Sequence, residues 1–139
     1  MASFRSISIA AAVLLAASLG MGSAFAQGLR LTGAEETPPN TSTATGSGSI
    51  KVDADGNVTG SVSAPTLVQP RAAHIHLGAP GQAGPPIITL NGGDEGTWTV
   101  PDGAKLNASQ LLSYKAGNLY VNVHTAAFPG GELRAQLRP

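Results

Sequence analysis

The chain has 139 residues with eight basic and eight acidic side chains, no cysteine, and only 4% aromatic residues. Its charges balance and do not cluster, which leaves neither a basic stripe for nucleic acid nor a cationic face for anionic membranes. Without cysteine there are no disulfides, no thiolate metal ligands and no thioether-linked lipid.

Arg5, the apolar run Ile7 to Leu19 and the small-x-small triplet Ala24-Phe25-Ala26 predict an export signal over residues 1–26, cleaved after Ala26. The run is too short to span a bilayer comfortably, and no later stretch is apolar enough to do so. Residues 27–139 are therefore expected to form one domain, periplasmic or secreted, with no membrane attachment after cleavage. Both methionines, Met1 and Met21, fall in the leader. The exported part then contains no sulfur, and the soft ligands that select Cu(I) or build a blue-copper centre are absent from it.

Beyond the leader, Gly, Pro, Ser, Thr and Asn punctuate the chain every eight to twelve residues, with short β-branched runs between them. That rhythm predicts an all-β fold, an antiparallel Greek-key-like β-sandwich. Leu29 to Leu31 reads as a first short strand, followed by the turn-rich Glu35-Glu-Thr-Pro-Pro39. Ser47 to Val52 and Val58 to Val62 read as a hairpin, with Asp55-Gly56 filling the positive-φ positions of its turn. Pro65 and Pro70 bracket a connection and are not expected in central strands. Ala72 to Leu77 reads as a strand. Behind it, Gly78 to Gly84 forms a mobile or tightly turned loop, placed to cover whatever that strand presents. Ile87 to Leu90 and Gly96 to Val100 are further strands, and Ala108 to Ala116 is the one short helix. Leu119 to Thr125 and Gly131 to Leu137 complete the set.

The exported part holds three histidines, and their positions are its most informative feature. His74 and His76 lie two apart on a predicted strand, so both side chains leave one face, roughly 7 Å apart. Imidazoles at that spacing can converge on one ion at about 2 Å each. Tyr120, Asn122 and His124 share one face of a second strand, with Val121, Val123 and Thr125 on the other. In both strands the apolar residues oppose the histidines. Ile75, Leu77, Val121 and Val123 are thus expected in the core, with the histidines on the outer surface of the sandwich, where loops shelter them. If the two strands are neighbours, a mononuclear metal site of His74, His76 and His124 follows. Histidines on a polar strand face also occur with no ligand at all, and a lone His-x-His is a weak signal. Glu35, Glu36, Asp94 and Glu95 are the carboxylates available to complete such a shell.

No serine elbow, phosphate-cradling glycine motif or meaningfully spaced carboxylate pair is present, so no catalytic residue is assigned. Trp98 and Tyr120 read most simply as core or edge aromatics, and either could line a small pocket. Arg134 reads as solvated, or paired with an acid such as Glu132.

Leu31-Thr-Gly-Ala-Glu-Glu-Thr-Pro-Pro39, Thr45-Gly46, Ala73-His-Ile-His-Leu-Gly78, Gly84-Pro85-Pro86, Tyr120-Val-Asn-Val-His-Thr125 and Pro129-Gly-Gly-Glu-Leu-Arg134 resemble, in order, the successive blocks of a CHRD (chordin-type) domain over nearly all of residues 27–139. The resemblance implies a compact β-sandwich and an extracellular setting. Chordin itself is an extracellular antagonist of growth factors, whereas many bacterial members are short secreted proteins of unknown role. The three histidines lie inside the family's own blocks. The His-x-His and late-strand histidine are also similar to the copper ligands of copper–zinc superoxide dismutase. This chain departs from that enzyme in lacking a fourth, bridging histidine, a zinc subsite and the disulfide cysteines.

The sequence thus leads to extracytoplasmic binding or handling of one metal ion, copper with zinc as the alternative. Its rival is a metal-free matrix or interaction module with an extracellular protein partner. If the site is an enzyme's, copper-dependent redox chemistry at an open coordination position is the expected reaction.

Overall fold

Alternation of apolar and polar residues along short β-branched runs leaves each strand one face to bury, and the structure follows that pattern through most of the chain. The computed structural model describes residues 28–139; the expected export signal and its cleavage point lie outside them. Nine strands form in chain order: β1 (Leu29–Thr32), β2 (Thr45–Val52), β3 (Val58–Ser63), β4 (Pro70–Leu77), β5 (Pro86–Thr89), β6 (Asn91–Gly92), β7 (Thr97–Thr99), β8 (Leu119–Thr125) and β9 (Leu133–Gln136). One helix, α1 (Ala108–Lys115), joins β7 to β8. Asn107 caps it reciprocally with Gln110, each side chain accepting from the other's backbone N–H.

Every pairing is antiparallel, as expected for the all-β class. The strands join in the order β5-β4-β8-β9-β1-β2-β3-β7-β6, a single sheet that is nearly closed. The neighbours β4 with β8, β9 with β1, and β3 with β7 are distant in sequence and require crossover connections of Greek-key type. Leu31, Val62, Trp98, Ile75, Val121, Val123 and Leu133 meet in one core cluster, so both halves of the sheet face the same interior. Ile75, Val121 and Val123 are fully buried there, and Leu77 packs at its margin.

Two local expectations need correction. In the turn of the β2–β3 hairpin only Gly56 takes a positive φ, at 88°. Asp53 shapes the rest of that turn, its carboxylate accepting from the backbone of Asp55 and Asn57 and from the Asn57 side chain. Pro70 does stand in an internal strand, since β4 lies between β5 and β8. It is tolerated as the first residue, where the register with β8 is already irregular between Pro70 and Ala72. Of the two forms expected for Gly78 to Gly84, the structure has the tightly turned one, held against the sheet by side chains of β4, β8 and β9.

Candidate metal centre

The outer face of β4, β8 and β9 is a grid fixed by register. His74 pairs with Asn122, His76 with Tyr120 and Ala72 with His124 across β4 and β8. Asn122 in turn pairs with Arg134, and Tyr120 with Gln136, across β8 and β9. Because side chains alternate, these residues all leave the face opposite the apolar core. Asn122 therefore sits at the centre, with His74, His124, Tyr120 and Arg134 around it.

The centre of this face is closed to water, while His74 and His124 stand half-buried at its margin. Tyr120, Asn122 and Arg134 are buried, and His76 is only 7% exposed. The cover is the loop between β4 and β5. Arg134 donates to the carbonyls of Ala79 and Gln82, and Gln136 donates to the carbonyl of Gly78. The Tyr120 hydroxyl accepts from the Gly84 N–H. The close fit explains two glycines: a Cβ at Gly78 would lie 2.7 Å from the Tyr120 ring, and one at Gly84 would collide with the Leu77 carbonyl.

The expected solvation or ion pairing of Arg134 is wrong. Its guanidinium makes four hydrogen bonds, to Thr37 Oγ1, Gln82 O, Ala79 O and Gln136 Oε1, all neutral acceptors. It also lies 3.5 Å above the Tyr120 ring, a cation–π contact. Glu132 instead accepts from Ser42 and Thr125. Tyr120 is thus layered, with Arg134 against its ring and the His76 imidazole stacked 4.8 Å from it.

The three histidines do converge. Each can contribute one ring nitrogen to a set whose members all lie within 4.8 Å of one another. His76 Nδ1 is 2.8 Å from the carbonyl oxygen of Gly84, and His124 Nδ1 is 2.9 Å from that of Pro129. A carbonyl only accepts, so in the neutral rings both Nδ1 atoms carry the proton and both Nε2 atoms present a lone pair, that of His76 without a partner. His74 Nδ1 lies 3.0 Å from His124 Nε2, and His74 is the donor of that bond. Burial holds the His74 imidazole below its ordinary value, helped by the neighbouring charges of His124 and His76. Burial likewise depresses His76, and the Gly84 carbonyl partly opposes the shift. Both shifts favour neutral rings for His74 and His76 at physiological pH, the form that binds metal.

Of the four carboxylates considered from sequence, the structure brings one to this face. Glu36 is buried on the segment after β1, close enough for the Asn122 side chain and the charges of Arg134 and His124 to act on it. Desolvation raises its carboxyl above the ordinary value, against the pull of the Thr37 N–H and those neighbours. Glu35 opens instead on a surface cleft with Arg30 and Tyr114, and Asp94 and Glu95 form the turn before β7. Asn122 and the carbonyls of Gly84 and Pro129 belong to the site although sequence reasoning gave them no role, and Tyr120 joins them as a lining aromatic. For Asn122 the signal was available, since it shares the face of His124.

Comparison with known proteins adds the family. The CHRD domain model matches residues 28–137, and the chain belongs to that family. No curated protein and no solved structure matches it, so the likeness to copper–zinc superoxide dismutase finds no support. No helix among the described residues is long and apolar enough to cross a membrane.

Proposed function

We propose that this CHRD-family protein binds one transition-metal ion through His74 Nδ1, His76 Nε2 and His124 Nε2, in extracytoplasmic metal binding or handling. The carrying observation is the pair of anchored imidazoles. Hydrogen bonds from Nδ1 to the Gly84 and Pro129 carbonyls fix ring orientation and tautomer and turn both Nε2 lone pairs towards the cluster, where that of His124 accepts only the His74 Nδ1–H. His76 Nε2 is buried without any hydrogen-bond partner, a cost that a bound cation would offset.

In His74 the cation takes the place of the Nδ1 proton, which moves to Nε2. Three nitrogens at about 2 Å from one ion stand roughly 3.3–3.5 Å apart. From the 4.8 Å that bounds the set, the nitrogens must therefore close by up to about 1.5 Å on binding. Neutral imidazoles suit Cu(II) and Zn(II), and at a given nitrogen site Cu(II) binds more tightly. A copper ion held this way supplies one-electron redox chemistry. The extracytoplasmic setting rests on the export signal read over residues 1–26 and on a family whose domains are generally extracellular or secreted.

The test is metal content and Cu(II) titration of the mature domain, with electron paramagnetic resonance on the product. A one-to-one complex with nitrogen hyperfine structure, lost in His76→Ala and His124→Ala, is the expected result. Stoichiometric binding retained in a triple histidine-to-alanine variant would sink the assignment. No tight binding of any metal would favour a metal-free extracellular interaction module.

A further inference from the structure

Three buried side-chain atoms among the described residues have no hydrogen-bond partner: Glu36 Oε1, His76 Nε2 and Asn122 Oδ1. They belong to one neighbourhood. Asn122 lies opposite His74 in the β4–β8 register, and its side chain acts on both Glu36 and His76. Glu36 is 5% exposed, Asn122 1% and His76 7%.

The chemistry of the three atoms is what matters. Glu36 Oε1 is a carboxylate oxygen and Asn122 Oδ1 an amide oxygen. With its proton committed to Gly84, His76 Nε2 is a bare lone pair. All three atoms offer lone pairs, and the donor that reaches this group is the Asn122 side-chain amide, which acts on both Glu36 and His76. A buried acceptor left short of partners is costly, more so when charged. Acceptors gathered in this way suit a proton donor or a cation, and a cation can be shared among them. The chain packs tightly there. Gly131, at φ 125°, faces this group, and a Cβ on it would collide with Glu36 Oε1 and stand 2.5 Å from Asn122 Nδ2.

Building on the metal reading above, we propose that Glu36 is the anionic member of the cation site. It supplies the negative charge that faces a divalent ion held on the three imidazoles, with Asn122 between them. Glu36 lies outside the tight histidine set, so its contribution is charge across a short gap rather than a fourth strong bond. Three neutral imidazoles carry no charge to balance a divalent cation, and the buried guanidinium of Arg134 on the same face works against one. Glu36 offsets both.

The experiment compares wild type with Glu36→Gln, which keeps the side-chain volume and removes the charge. Affinities for Cu(II) and Ag(I) are measured on each by competition titration. Replacing a partner of this kind is expected to weaken Cu(II) binding about 10- to 100-fold while stoichiometry stays at one. Coulomb energy scales with the ion's charge, so Ag(I) binding should fall only by about the square root of that factor, roughly 3- to 10-fold. Equal losses for both ions would mean a structural role and overturn the proposal, as would unchanged Cu(II) affinity. Should Glu36→Gln fail to fold, Glu36→Asp serves, with the wild-type ratio of Cu(II) to Ag(I) affinity expected and an altered ratio overturning it. Wild-type protein that binds no Cu(II) defeats the metal reading itself. Wild-type binding with an indifferent Glu36→Gln defeats only the role of Glu36.

Discussion

Arg134→Lys should be among the most damaging conservative changes in the molecule, although it preserves the charge. The guanidinium reaches four acceptors in one plane, and its flat face rests 3.5 Å from the Tyr120 ring. An ammonium has three donors on a compact head and cannot cover that spread. Two lost hydrogen bonds from a charged donor, at about 1.5–3 kcal/mol each, give a gross loss of roughly 3–6 kcal/mol. Rehydration of the freed loop carbonyls returns part of this, so a net cost of about 3 kcal/mol is expected. Arg134→Met loses all four bonds but also removes a buried charge, and should cost no more than the lysine variant. Urea unfolding of the metal-free protein measures both, with unchanged slopes confirming that only stability moved. Amide exchange in residues 78–85 should accelerate in parallel, because Arg134 donates to two carbonyls of that loop. A lysine variant within about 0.5 kcal/mol of wild type, the range of ordinary surface changes, would refute the clamp.

Acidification should destabilise the metal-free protein. His74 and His76 have folded values depressed by burial, so the unfolded chain takes up protons first, near pH 6.5. Stability they contribute is complete above that pH and declines as pH falls towards their folded values, at up to about 1.4 kcal/mol per pH unit per proton. Urea midpoints at pH 7.5 and 5.5 measure the drop, which a His74→Gln, His76→Gln double variant should largely abolish. Gly84→Ala forces a Cβ onto the Leu77 carbonyl, and the strain should cost about 1–3 kcal/mol. The displaced Gly84 carbonyl should also release His76, seen as loss of its slowly exchanging Nδ1–H resonance. Asn107→Ala removes one half of the helix cap and should lower stability by about 1 kcal/mol without touching metal affinity.

Much of this arrangement is written locally. In Leu119 to Thr125 the alternation of valines with Tyr120, Asn122 and His124 shows both the strand and its two faces, and the structure keeps them. The hairpin at Gly56 is equally local, because a positive φ there strongly favours glycine. The pairing of β4 with β8 is not local, and on it depends whether three histidines are a cluster or a coincidence. Nor could composition show that the outer face would be roofed. Arginine is seldom fully buried, so Arg134 reads as a surface residue until its acceptors appear from a loop more than fifty positions away. Glu36 was one of four indistinguishable carboxylates, because its placement depends on how the segment after β1 folds over β8 and β9.

The two ends of the strand order have a consequence for association between molecules. A nearly closed sheet still has two edges, here β5 and β6. The first is four residues long and begins with Pro86, which has no N–H to donate. The second is two residues long and includes Gly92. Neither offers the long, flat ladder that lets another chain add on as a strand and seed aggregation. The chain has no cysteine and so no disulfide to restrain opening, which gives that protection added weight. Any assembly it enters must be built through side-chain surfaces or through a shared ion.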